Sequence, residues 1–151
     1  MKFERAAATL VLVFGIASAA FAHSGATGIV KQRMDKMGEV ASQMKVIARM
    51  LNGQLEFDPA VLEASAAEIA DHASGFEPLF PEDSVSPPSE ARPRIWTRWD
   101  EFLDHFGRME ARAVTLADQV ASVEDPSDLK GAFGRLAETC KSCHQDFRQK
   151  K

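Results

Sequence analysis

The stretch DPSDLKGAFGRLAETCKSCHQDF, residues 125–147, decides the fold, because it sets reactive side chains on a helix face that has to be buried. Asp125-Pro126 reads as a helix start: the carboxylate accepts a free backbone N–H, and proline arrives with its φ already helical. Leu129, Phe133, Leu136, Cys140, Cys143 and Phe147 then recur in steps of four and three, the period of one helical face. Both cysteines therefore lie on the apolar stripe, and whatever they hold packs into the protein rather than hanging outside it.

Cys140-Lys141-Ser142-Cys143-His144 has the spacing of a covalent haem attachment site. Two thiols three positions apart can add across the two vinyl groups of a haem, and the next residue presents its imidazole to the iron. Two other readings compete. A thiol redox centre expects a strand–helix context near a βαβ unit, and no strand precedes this pair. A zinc site needs a second ligand pair, whereas His23, His72 and His105 are scattered singly and the chain has only these two cysteines. The reading retained is one haem c per chain, bound through Cys140 and Cys143, with His144 as an iron ligand.

Three further amphipathic segments precede this one. Val30, Met34, Met37, Ala41, Met44, Ile47 and Leu51 mark the first, which Asn52-Gly53 ends. The second has Asp58 as N-cap, Pro59 in its first turn, and Leu62, Ala66, Ile69 and Ala73 on its apolar face. Its small side chains allow close approach to a neighbouring helix or to the haem. The third and clearest runs from Ile95 through Trp99, Phe102, Phe106 and Met109 to Val120. Residues 74–93 carry five of the seven prolines and read as a long irregular connection. The fold expected is all-α: an antiparallel four-helix bundle with haem attached near the C-terminus, one long crossover being compatible with such bundles.

The first 22 residues read as a signal peptide. Lys2 and Arg5 precede an apolar stretch from Ala6 to Ala20 that is too short to span a bilayer, and Ala20-Phe21-Ala22 fits a small-x-small cleavage site. Residues 23–151 then form one bundle domain, soluble, without a membrane span and periplasmic. Cleavage leaves 16 basic and 21 acidic residues, a net charge of −5, which argues against a nucleic-acid surface. No carboxylate pair, nucleophile–base set or phosphate loop stands out, so no enzyme is expected.

Four helices with the attachment motif near the C-terminus resemble the class II c-type cytochromes, the family of cytochrome c′ and the cytochromes c-556. Cytochrome c′ is itself a standard example of a four-helix bundle. The strongest stretch is Cys140 to Arg148, and Ala91-Arg92-Pro93-Arg94-Ile95-Trp96 is similar to the family's entry into its third helix. The resemblance implies His144 as proximal iron ligand and Arg148 as the basic residue near it, a position that also suits a cation at a helix C-terminus. It further implies that Arg33 pairs with a haem propionate and that Met37, four residues later, faces the distal side of the iron. Val40, Ala41 and Met44 continue that wall. If Met37 sulfur bonds the iron, the haem is six-coordinate and suited to electron transfer with periplasmic redox proteins. If Met37 only packs, as methionine in a helix stripe commonly does, the iron is open to nitric oxide or carbon monoxide. Phe80-Pro81-Glu82-Asp83-Ser84 is similar to the c-556 side of the family, which favours ligation by Met37. Many members form homodimers through their first helices, and the outward face here, with Lys31, Lys36, Glu39, Gln43 and Lys45, is mixed in charge.

Overall fold

A computed structural model describes residues 25–149; the signal peptide expected over residues 1–22, and His23, lie outside them. Helix α1 spans Gly28–Leu51 and stops where Asn52-Gly53 predicts. Gly53 takes φ +68°, its N–H donates to Met50 O at 3.0 Å, and the Gln54 N–H donates to Arg49 O at 2.8 Å. Those two bonds satisfy carbonyls that a helix end otherwise leaves bare. Helix α2 spans Pro59–Ser74 and opens on Asp58, whose carboxylate accepts the Val61 N–H at 3.2 Å. Leu62, Ala66, Ile69 and Ala73 are buried as the period requires. The small residues among them let α2 lie close against α4, its most extensive neighbour.

The third segment is not one helix. Helix α3, Arg94–Thr97, and helix α4, Trp99–Val120, are separated at Arg98, which sits at φ −130° and ψ 45°. The side chain of Arg98 supplies the reason. It donates from Nε to Glu101 Oε2 at 2.7 Å, lies 3.9 Å from Asp146 and stacks 5.3 Å above the Phe147 ring. Partners on two helices hold the residue out of the helical conformation. The Trp96 indole meanwhile donates to Phe80 O at 3.1 Å, tying α3 to the crossover. Beyond the break, Phe102, Phe106, Met109, Ala113, Leu116 and Val120 are buried in the expected rhythm.

The last segment begins as a 3₁₀ turn, Pro126–Leu129, on an Asp125 carboxylate that accepts the Ser127 N–H at 2.7 Å. It continues as α5, Lys130–Phe147. The crossover is irregular, as expected, but it also supplies core. Phe76, Leu79 and Phe80 are buried, with Phe76 stacked on Phe106 at 4.8 Å and Phe80 edge-on to Phe102 at 4.7 Å. Burying each such phenylalanine contributes roughly 1.5–3 kcal/mol.

Two helical hairpins, α1–α2 and α4–α5, thus join through the α2–α4 contact into a four-helix bundle, with α3 as a short preface to α4. Helices α1 and α5 touch only sparsely. The face of α1 considered for pairing is partly turned to α2: Glu39 lies 3.2 Å from His72 Nε2, and Gln43 donates to Glu68 at 2.5 Å. Among the described residues, no helix is long and apolar enough to cross a membrane.

Candidate haem site

Where α1 and α5 draw apart, the bundle encloses a cavity of about 650 Å³. Cofactor sites commonly fall between about 300 and 1,000 Å³. Helix α1 gives it Arg33, Met37, Val40, Ala41 and Met44; α4 gives Phe102, His105, Phe106 and Met109; α5 gives Cys140, Cys143, His144, Phe147 and, at its C-cap, Arg148. The crossover closes it with Phe80, Ser89 and Glu90. Every site residue expected from the sequence lies on this one cavity. Helix α2 contributes nothing to it, so its small side chains serve helix packing and not approach to the cofactor.

Both cysteines are half-buried on the cavity wall. Burial raises the Cys140 thiol above its ordinary pKa, and burial, then Cys140 and Asp146, push Cys143 up to about 12. A redox dithiol needs one thiol lowered to act as a nucleophile, so this environment opposes the thiol-exchange reading. Zinc is opposed as well. Among the described residues, the one group of potential ligands that converges, Glu101, His105 and Asp146, contains neither cysteine.

His144 stands in the last turn of α5 at the cavity mouth, open to solvent on one side. Burial on its other side and the Arg148 guanidinium lower its pKa, with Glu90 acting against them. An imidazole kept neutral has its lone pair free for a metal. Arg148 is itself held by Glu90, donating from Nε to Oε2 at 2.6 Å. The crossover is laced to this end of α5: Arg92 N–H donates to Phe147 O at 2.9 Å and Gln149 N–H to Glu90 O at 2.7 Å.

Arg33 is not the surface arginine that its place in a polar run also allowed. It is 3% exposed. Its Nη1 donates to Ser84 Oγ at 2.9 Å and Leu79 O at 3.5 Å, and its Nη2 to Ser89 Oγ at 2.7 Å and to Ser84 O. The guanidinium also lies 4.8 Å from the centre of the Phe80 ring. Burial lowers its pKa, yet an arginine stays charged. The partners just named are carbonyls and hydroxyls, neutral groups that solvate a buried positive charge without neutralising it. A haem suits this donor set: apolar ring edges for the phenylalanines and methionines, two vinyl groups for the thiols, an iron for the imidazole, and carboxylates for a buried cation.

Sequence reasoning missed His105 and Thr139. His105 is 5% exposed on the cavity wall, and only its place between Phe102, Phe106 and Met109 hinted at burial. Thr139, 2% exposed, accepts from Arg112 Nη1 at 2.7 Å and anchors the turn that carries Cys140. Glu90 and Ser89 lie in the crossover, where no periodicity could mark them.

Comparison with known proteins agrees with this geometry. Residues 28–148 match the family model described as Cytochrome C′. A cytochrome c′ of Rhodopseudomonas palustris is 38% identical over 126 residues, covering 83% of this chain and 84% of the relative. A cytochrome c-556 of Agrobacterium fabrum is 30% identical over 143 residues, covering 95% and 94%. The solved structure of cytochrome c′ from Rhodopseudomonas palustris superposes with a TM-score of 0.76 at 36% identity, covering 83% of this chain and 99% of that one. The chain therefore belongs to the cytochrome c′ family, the class II c-type cytochromes whose prosthetic group is a covalently bound haem.

Proposed function

We propose that this haem protein carries single electrons between redox partners, with His144 and Met37 as the two axial ligands of the iron. The observation behind this reading is that Met37, half-buried on α1, lines the same cavity as His144 on α5. His144 and Met37, carried on two helices, would hold the haem iron between them, and such a haem would suit electron exchange with little rearrangement of the protein. Thioether ligation also raises the reduction potential relative to harder ligands. The haem supplies the redox couple when bound. The chain supplies apolar walls from Phe102, Phe106 and Met109 that exclude water, a neutral imidazole at His144, and Arg33 as the cation facing a haem carboxylate. Arg148 and Glu90 fix the crossover beside His144. Export through residues 1–22 and periplasmic partners complete the proposal.

A second reading has its own support. The relative at 38% identity is a cytochrome c′, and Val40, Ala41 and Met44 beside Met37 make an apolar wall that admits neutral diatomic gases. In that case Met37 packs and iron keeps an open position for nitric oxide or carbon monoxide.

Substitution separates the two. Met37→Leu keeps apolar volume and removes the sulfur, so the six-coordinate reading expects loss of the sulfur-to-iron absorption band and a lower reduction potential. Met34→Leu and Met44→Leu, on the same wall, leave the spectrum unchanged. A Met37→Leu spectrum identical to the parent's excludes Met37 as a ligand.

A further inference from the structure

Neither attachment of haem nor ligation of iron uses His105. It lies one turn beyond Glu101 on α4, 5% exposed on the cavity wall, with its ring edge-on to Phe147 at 5.7 Å between centroids. Its Nδ1 is 3.0 Å from Arg108 Nη2. A guanidinium only donates, so Nδ1 is the acceptor and the neutral ring carries its proton on Nε2. The charged groups facing it are Glu101, Asp104 and Arg108 on its own helix and Asp146 on α5. Glu101, His105 and Asp146 bring ligand atoms within 4.8 Å of one another. A metal ion there must displace Arg98, which already engages both carboxylates, and Arg108, which already engages Nδ1. A proton asks less of the cluster: on Nδ1 it breaks only the Arg108 hydrogen bond and leaves the Arg98 ion pairs with Glu101 and Asp146 in place. Arg108 is also bonded to Asp104, so it keeps a partner when Nδ1 is protonated. Exposed Glu101 links the ring to solvent.

We propose that His105 couples electron uptake to proton uptake: as a one-electron donor reduces the haem iron, Nδ1 binds one proton from solvent, and the negative charge brought into the cavity is balanced inside it. The physical drive is the low dielectric around buried groups, where an unbalanced charge is costly. Burial and Arg108 favour the neutral ring, while Asp146, Asp104 and Glu101 oppose them. The coupling window therefore lies below the ordinary histidine value of about 6.5. This inference rests on the haem alone and holds with or without Met37 on the iron.

The test is spectroelectrochemical titration of the holoprotein across about pH 5 to 8, the range in which histidine changes charge. The expected result is a reduction potential that is flat near neutrality and rises as pH falls. The limiting slope is about 59 mV per tenfold change in proton concentration, the one-electron conversion. His105→Gln is expected to remove that rise while leaving the absorption spectrum unchanged. Haem carboxylates titrate equally in both proteins and cancel in the comparison. Arg108→Gln takes the cation from Nδ1 and is expected to move the window to higher pH. A merely structural role shifts the potential equally at every pH. If His105→Gln keeps the parent's slope, the coupling is refuted. Should that variant yield no holoprotein, Arg108→Gln decides: an upward-shifted window supports the proposal and an unmoved one overturns it.

Discussion

Arg33 and His105 are buried ionisable side chains on the cavity wall. A buried guanidinium held by carbonyls and hydroxyls is favoured by an anion beside it, which is why Arg33 fits a haem carboxylate. The same bonds pin Leu79, Ser84 and Ser89, so Arg33 also fastens the crossover. Arg33→Gln leaves several of these acceptors unpaired and should destabilise the holoprotein by on the order of 3 kcal/mol, each stranded buried group costing about 1–3 kcal/mol. Denaturant unfolding followed at the haem absorption measures this; an unchanged midpoint contradicts the assigned role. For His105 the folded pKa is lowered by burial first and Arg108 second. The unfolded chain then binds the proton more readily, so the stability contributed by the neutral ring is present above about pH 6.5 and is lost as pH falls. Unfolding curves at pH 7 and pH 5 should show a loss of stability in the parent that His105→Gln reduces.

At the scale of elements, the helix ends follow local rules while the connections follow partners distant in sequence. Gly53 closes α1 at φ +68°; Gly53→Ala forces a β-carbon into that left-handed conformation and should cost about 1–2 kcal/mol in thermal or denaturant unfolding. Phe106, stacked on Phe76 and edge-on to Phe102 at 5.0 Å, joins α4 to the crossover. Phe106→Ala should cost about 3–5 kcal/mol, the usual toll for emptying a core aromatic site. The Asp58 and Asp125 caps and the apolar steps of α2 and α5 were legible in the sequence because each needs only a neighbour within one or two turns; on α1 the expected stripe is only partly buried, with Ala41 exposed and Arg33, Val40 and Met50 buried in its stead. The break at Arg98 was not, because it depends on Asp146 and Phe147 from α5. Nor was the burial of Phe76 and Phe80, since an irregular connection has no period from which to read a face. His105 shows the same limit from the other side: the period places it at the edge of the apolar stripe, but polarity suggests solvent until Phe147 and the cavity are seen around it.

In the whole molecule, two helical hairpins meet firmly through α2 and α4 and stay apart between α1 and α5, where the cavity lies. The C-terminal location of the attachment motif follows from this plan: α5 faces α1 across the cavity, so one helix offers thiols and imidazole while the other offers a thioether. On the proposed ligation, the cofactor would also link the two hairpins. A Cys140→Ala, Cys143→Ala double variant, which cannot form thioethers, should retain helical circular dichroism but lose cooperative unfolding and the near-ultraviolet signal of fixed aromatic packing. Cooperative unfolding unchanged from the holoprotein contradicts that link. The central claim, an electron carrier with His144 and Met37 on the iron, is tested most directly by the absorption spectrum of the purified holoprotein at neutral pH, oxidised and then reduced, before and after carbon monoxide. Met37 ligation gives sharp, split visible bands on reduction, a sulfur-to-iron band when oxidised, and little response to the gas; broad high-spin bands that shift on adding carbon monoxide contradict it.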